Sequence, residues 1–242
     1  MSMQALAQEG LVHIGVLKYP PYIIQPDRSY PGAQVEVLRK SFENVGIETK
    51  FDILPYTRTI QHVEEGTLPV VGMLNAKTSD KVRLSKHHTL SLVQTFFVSK
   101  TKNWSYEGVH SLDGQTILSV EGYNYQNVSP SYQFLIESDI NVMTIKAVKN
   151  YLQTAAYILS HGRADVFNED YAAMTYALDQ MEMIGVVKAA GTLPIKLKQY
   201  VGFAPNEEGD FFRQKFDEGF EMLLTSGELD RILKKYDATR IP

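Results

Sequence analysis

The sequence predicts an α/β protein of two lobes, each built on its own largely parallel sheet. Three observations predict it. Strand-like and helix-like segments alternate from end to end, and alternating βα units form parallel sheets. A polar stretch, Thr101–Asp113, interrupts the alternation around Trp104. A second βα series then resumes, so two sheets are expected rather than one.

In the first series, Val12, Ile14 and Val16 share one face of a strand near His13–Leu17, which Tyr19-Pro20-Pro21-Tyr22 breaks. Val35, Leu38, Phe42 and Val45 recur at helical spacing over Gln34–Val45, and Gly46 stops that helix. Lys50–Leu54 predicts a strand and Thr59–Glu65 a short helix ended by Gly66. Pro69–Leu74 is a continuous apolar run, as expected of a parallel strand buried on both faces. Thr95–Ser99 predicts a further strand.

The second series reads as strand Thr116–Val120, tight loop Gly122–Tyr125, helix Tyr132–Glu137, strand Val142–Ile145 and helix Asn150–Ser160. Strand Asp165–Phe167, helix Asp170–Leu178 and strand Gly185–Val187 follow. The chain ends with strand Gln199–Ala204 and a long helix carrying Phe212, Phe216, Phe220 and Leu223 on one face. A last helix is expected to be capped by Ser226, with Leu229, Ile232, Leu233 and Tyr236 inward. Ligands of open α/β sheets sit outside the carboxyl ends of the strands, which is where candidate residues are sought.

Composition narrows the function. The 242 residues are 44% hydrophobic and 21% charged, an ordinary globular balance. A net charge of −4 with scattered Lys and Arg argues against nucleic acid as partner, which needs a concentrated positive face. The absence of cysteine excludes disulfide and thiol chemistry. No apolar run approaches the ~20 residues of a membrane span. His87 and His88 are adjacent, so they cannot converge on a metal as an i,i+4 pair would. No Gly-rich phosphate loop, G-x-S-x-G elbow or basic-aromatic stripe occurs, and no cofactor or metal is expected. Ala5-Leu6-Ala7, followed by Gln8-Glu9, has the form of a signal-peptidase site with too few residues before it for an apolar segment. The expectation is an exported, periplasmic protein whose chain begins near its mature N-terminus.

Stretches in a compatible order carry a family resemblance. They are Gly15 to Tyr22, Pro55-Tyr-Thr-Arg58 with Val63-Glu-Glu-Gly66, and Ser111-Leu-Asp-Gly114 through Glu121-Gly-Tyr-Asn-Tyr125. Gly162-Arg-Ala-Asp165 with Asp170 and Tyr176, then Ser226-Gly-Glu-Leu and Ile232-Leu-Lys-Lys-Tyr236, complete the set. Over roughly residues 11–237 the chain resembles the bacterial family 3 solute-binding proteins, the polar-amino-acid binding proteins of ABC transporters. The resemblance implies the type II periplasmic binding fold: two Rossmann-like lobes joined by a two-strand hinge. Lobe 1 would hold residues 10–99 and 200–242 and lobe 2 residues 100–199, with Thr95–Ser99 and Gln199–Ala204 as the crossing strands. It further implies a monomer that closes on a small polar ligand in an interlobe cleft, performs no catalysis, and serves an ABC-transporter membrane permease. A membrane sensor as partner, and a cyclohexadienyl-dehydratase-like enzyme with Asp170, Glu169 or Glu121 as acid, are the alternatives.

The candidate ligand-binding residues are Tyr19, Tyr22, Tyr56, Arg58, Asn75, Lys81, Tyr123, Asn124 and Asp170. The tyrosines offer large, stiff contact area on loops. The Gly122–Tyr125 loop offers backbone N–H groups to an anion. Asp170 is the family's acidic partner of a ligand amino group, or else an N-cap; Glu169 is expected to face solvent. The family's carboxylate-gripping Arg is replaced in Thr78-Ser-Asp-Lys81, and the small or polar positions before it are Met73, Leu74 and Ala76. Lys is a point charge and lacks the two parallel N–H donors of a guanidinium, so Arg58 is the expected carboxylate-binding group.

Overall fold

The computed structural model describes residues 10–138, 141–146 and 150–241; the Ala5-Leu6-Ala7 motif lies outside them. The chain divides into two compact units. The first runs up to Ser91 and resumes at Lys198; the second is Leu92–Leu197.

The first unit is built on β1 (Leu11–Val16), β2 (Glu48–Ile53) and β3 (Val70–Asn75), parallel and ordered β2-β1-β3. The short β4 (Arg83–Leu84) and β5 (Leu90–Leu92) were too brief to read from periodicity, and both pair with β11 (Leu197–Phe203), which runs antiparallel beside β3. The apolar run in β3 is buried throughout except at Asn75, because it lies between strands and under helices on both faces. The helices of this unit are α1 (Ala33–Glu43), α2 (Tyr56–Glu64), and, near the C-terminus, α6 (Glu207–Ser226) and α7 (Glu228–Lys235).

In the second unit β7 (Ile117–Val120), β8 (Val142–Ile145) and β9 (Val166–Asp170) are parallel and ordered β8-β7-β9. β6 (Gln94–Ser99) runs antiparallel beside β9, and β10 (Val187–Thr192) flanks β6. This pairing moves the first crossing between units to Ser91/Leu92, earlier than the residue 99 boundary expected from sequence. Helices α3 (Pro130–Ser138), α4 (Tyr151–Ser160) and α5 (Tyr171–Gln180) complete the unit. Trp104, read as a boundary residue, belongs to its core: Phe96 stacks on Tyr106 at 4.3 Å and meets Tyr132 at 5.3 Å and Trp104 at 6.0 Å. On the other face Phe97, Leu118 and Phe167 pack with Ala155, Leu159 and Met174.

Each unit thus repeats one plan, three parallel strands with the first in the middle and an antiparallel strand beside the third. Loops after the parallel strands emerge at one sheet edge in each unit, and the candidate residues are carried there. Among the described residues no helix is long and apolar enough to cross a membrane.

The phenylalanine stripe of α6 behaves as its 3.6-residue spacing predicts. Phe212 and Phe216 lie 6.3 and 5.7 Å from Phe42 of α1, and Phe216 lies 5.9 Å from Phe203. The cap position falls on Gly227, one residue later than expected, while Ser226 Oγ still accepts from Glu228 N, the first N–H of α7, at 3.3 Å. Ser226 ends α6, and Gly227, at φ 71°, closes that helix and opens α7. The left-handed turn suits a residue without Cβ. α1 and α6 approach closely where Gly219 meets Ser41, and Asn44 Nδ2 donates to the Gly219 carbonyl at 3.1 Å. A Cβ at Gly219 would collide with the Ser41 backbone carbonyl. Gly219→Ala is therefore expected to destabilise the protein by about 1–3 kcal/mol despite its better helix propensity; urea denaturation of the variant against wild type checks it.

Candidate functional site

In the first unit the edge is formed by Tyr19 after β1, α2 after β2 and the turn after β3. Tyr19 and Tyr22 belong to a tight turn in which the Tyr19 carbonyl accepts from the N–H groups of Tyr22 and Ile23 at 3.0 and 2.9 Å. Their rings lie 5.5 Å apart. Tyr22 is only 1% exposed, so it backs the half-buried Tyr19 from inside the core rather than offering a face to solvent.

Tyr56 opens α2, and its hydroxyl shares a hydrogen bond with Thr78 Oγ1 at 3.1 Å. Burial holds its phenol above the usual tyrosine range. The turn is closed by Asn75, whose Oδ1 accepts from Lys77 N at 2.8 Å and whose carbonyl accepts from Thr78 N at 3.0 Å. Ser79 Oγ donates to Glu64 Oε1 at 2.6 Å and accepts from Lys81 N at 3.1 Å. The turn that carries Asn75 and Lys81 is thereby stitched to α2 through Tyr56 and Glu64; Arg58, two residues after Tyr56, lies on another face of that helix.

The two cations differ. Arg58 lies exposed in the first turn of α2, and among the described residues it has no hydrogen-bond or ion-pair partner. A cation there works against the helix dipole. The Lys81 side chain is 74% exposed and its Nζ lies 4.0 Å from Glu64 Oε2. Met73 and Leu74 are buried, so they fill the core beneath the edge instead of lining it.

In the second unit the edge is formed by the loop after β7, the start of α4 and the end of β9. Asn124 is exposed, and its Oδ1 accepts from Gln126 N at 2.9 Å. Two N–H groups of this loop expected to receive an anion are already engaged. Tyr123 N donates to the Val120 carbonyl at 3.1 Å, and Tyr125 N donates to Gln133 Oε1 at 2.6 Å.

Asp170 is 1% exposed and caps α5: its Oδ1 accepts from Ala173 N at 3.0 Å, and its Oδ2 accepts from Val93 N at 2.8 Å. Asp170 therefore serves as the N-cap of α5. Glu169 corrects the sequence expectation, since it is buried rather than solvent-facing at 1% exposed. β9 runs on through Asp170, farther than the expected Asp165–Phe167, and carries both carboxyls into the sheet. Glu169 Oε2 lies within hydrogen-bond distance of Tyr151 OH at 2.9 Å and of Tyr123 OH at 3.1 Å, while the two hydroxyls lie 2.7 Å apart. Glu169 Oε1 accepts from Asp170 N at 2.8 Å. Burial pushes the Glu169 carboxyl up to about 7 and the neighbouring Asp170 charge adds to this, against the pull of its hydrogen bonds. Burial also drives both phenols well above their ordinary range.

Sequence reasoning named Tyr123 but missed Tyr151 and misplaced Glu169. Tyr151 carries no local signal, because it meets Glu169 only once α4 is laid against β9. Length offered the one hint for Glu169: a strand of five residues from Val166 ends at Asp170.

This geometry is that of a ligand-binding α/β fold with polar and aromatic groups gathered at the carboxyl edges of two sheets. The sequence matches the family of bacterial extracellular solute-binding proteins, family 3, over residues 12–239, and the chain belongs to that family. No curated protein matches it. Solved structures share its fold. A histidine kinase sensor domain with similarity to periplasmic binding proteins is 14% identical, with 96% of this chain and 98% of that one covered at a TM-score of 0.73. The probable amino-acid ABC transporter extracellular-binding protein YtmK from Bacillus subtilis is 16% identical, covering 93% and 97% at a TM-score of 0.75. The amino acid ABC transporter substrate-binding protein AbpA from Streptococcus pneumoniae, bound to L-arginine, is 14% identical, covering 97% of each chain at a TM-score of 0.70.

The Asp170 cap gives a stability test. Asp170→Ala leaves the buried N–H of Ala173 and the part-buried N–H of Val93 without their acceptor. A loss of about 2–4 kcal/mol is expected, combining a lost cap with an unsatisfied buried donor. Chemical denaturation measures it, and Asp170→Asn, which keeps a capping oxygen, should recover part of the loss.

Proposed function

We propose that this protein is an extracytoplasmic solute receptor that captures a small polar ligand, an amino acid or a related carboxylate or amine, and delivers it to the membrane permease of an ABC importer. One observation carries the reading: in both units the polar and aromatic candidates stand at the carboxyl edge of the parallel strands, where open α/β sheets receive ligands. Family membership over residues 12–239 supports it. The role is binding without covalent chemistry, with the ligand favouring the bound conformation through its differential contacts.

In the first unit Arg58 is the group we assign to a ligand carboxylate. It is exposed and has no partner among the described residues, and a guanidinium grips a planar carboxylate with two parallel donors. Lys81 lies near Glu64 instead. Tyr19 and Tyr56 supply flanking contact area. Sensing is the second reading, favoured by the likeness to a histidine kinase sensor domain. Ligand-loaded protein would then stimulate a kinase, whereas in the import reading it stimulates the ATPase of a permease complex.

A thermal-shift screen over amino acids, carboxylates, amines and small peptides tests the binding function. A true ligand at a hundredfold excess over its Kd stabilises by about 2.7 kcal/mol, and a screen without any stabilising solute contradicts the proposal. For an acidic ligand so found, Arg58→Ala is expected to weaken binding at least tenfold by calorimetry, about 1.4 kcal/mol or more, and Lys81→Ala to cost less. Wild-type affinity in Arg58→Ala with binding abolished in Lys81→Ala reverses that assignment.

A further inference from the structure

Three oxygens meet at the edge of the second unit. Tyr123 OH, Tyr151 OH and Glu169 Oε2 lie 2.7, 2.9 and 3.1 Å apart in pairs, making three mutual contacts. Two phenols bring two protons. An ionised Glu169 brings none, so one contact would place two oxygens together without a hydrogen. A protonated Glu169 supplies the third, and the ring closes with each oxygen donating once and accepting once. Glu169 Oε1 is held separately by Asp170 N at 2.8 Å.

This hydrogen inventory fixes what the cluster offers outward. With every hydroxyl proton used inside the ring, the phenol oxygens have only lone pairs left to present. The two half-buried rings meet edge to face at 6.2 Å and pack against the core, and Tyr123 also meets Tyr125 edge to face. Oxygens with only lone pairs to present accept hydrogen bonds and attract positive charge. The cluster stands at the carboxyl edge, with Tyr123 after β7, Tyr151 at the start of α4 and Glu169 near the end of β9. Asp170, the acidic residue the family resemblance points to, has each oxygen on a backbone N–H.

We propose that Tyr123, Tyr151 and Glu169 form a receptor for the cationic end of the ligand, an ammonium or guanidinium group, and that its arrival expels the proton of Glu169 to solvent. The two phenols touch the cation, and Glu169 is the positioning residue behind them. Charge balances: a neutral cluster and a cation become a carboxylate paired with that cation, plus one proton taken up by buffer. The proposal rests on the solute-binding reading and names the charge of the ligand group this edge receives.

The groups bearing on Glu169 come from several elements. Asp170 on its own strand disfavours its ionisation, as burial does, while Tyr123 from the β7 loop and Tyr151 from α4 favour it by hydrogen bonding. Tyr125 lies in the same β7 loop, and across the ladder on β6 stands the uncharged Thr95. Among the described residues no cation is paired with Glu169. Its pushed-up value near 7 makes the proton easy to displace.

The test begins without ligand. In infrared difference spectra the C=O band of a protonated carboxylic acid is expected in wild type at pH 6, titrating away near neutrality and absent from Glu169→Gln. The folded value is raised above the ordinary 4.5. The linked stability is therefore present at low pH and lost as pH rises through about 7. The thermal midpoint of wild type should fall relative to Glu169→Gln between pH 5 and 8. A band that titrates only in the ordinary acid range, or parallel stability profiles, overturns the proposal.

The second arm uses methylammonium, putrescine, L-arginine, acetate and succinate. Calorimetry in two buffers of different ionisation enthalpy should show proton release with the cationic compounds that bind. Glu169→Gln should abolish that release and weaken them at least tenfold, and Tyr151→Phe should weaken them too. Cationic compounds bound equally by wild type and Glu169→Gln, or binding by the anions alone, overturns the cation receptor. Failure of every compound counts against the receptor and, together with a blank thermal-shift screen, against the solute-binding reading; the ligand-free arm tests the protonated ring independently of both.

Discussion

Two adjacent carboxyl groups buried at the end of one strand are the constraint on which the second unit's carboxyl edge depends. Neither Glu169 nor Asp170 reaches water, and a buried carboxylate is costly unless hydrogen-bonded. Successive side chains on a strand point to opposite faces, so the two residues solve the same problem with different partners. Asp170 turns to the start of α5 and takes backbone N–H groups, which keep an ionised oxygen satisfied. Glu169 turns toward α4 and the loop after β7, where its Oε2 finds phenols. Hydroxyls can donate or accept, so that environment tolerates a neutral carboxylic acid in a way the cap does not.

The first unit solves no such problem and leaves its charge outside. Lys81 stands on a turn held to α2 by the Tyr56–Thr78 and Ser79–Glu64 hydrogen bonds, and Arg58 stands exposed in the first turn of α2. The cost of an exposed cation near a helix start is small in water, which lets Arg58 stand there without a partner among the described residues. The two units share a strand order yet carry opposite electrostatic characters at their edges: exposed cations on one, a proton-bearing acceptor cluster on the other.

The elements themselves were largely legible because their periodicities are strong. The apolar run of β3, the α1 stripe and the phenylalanine spacing of α6 each force one face into a core, and each is found where the spacing puts it. β4 and β5 escaped because two or three residues carry no period. The cap position shifted from Ser226 to Gly227 because Gly227 can take a left-handed φ that closes one helix and opens the next at a single residue, with Ser226 Oγ still accepting from Glu228 N.

By itself the sequence determined the α/β class, the two βα series and the family, since these follow from local periodicity and from motifs in order. It also determined which residue types stand after each parallel strand, and so placed Tyr19, Tyr56, Arg58, Lys81 and Tyr123 beyond the strands' carboxyl ends. Only the tertiary structure decided which side chains meet. Tyr151 lies 18 positions from Glu169 and Tyr123 lies 46 from it, and no local pattern joins them. Their contact exists because β9 pairs beside β7 while α4 packs against the sheet. The protonation of Glu169 and the capping role of Asp170 arise the same way, for a group's charge state is set by the solvent and partners that folding gives it.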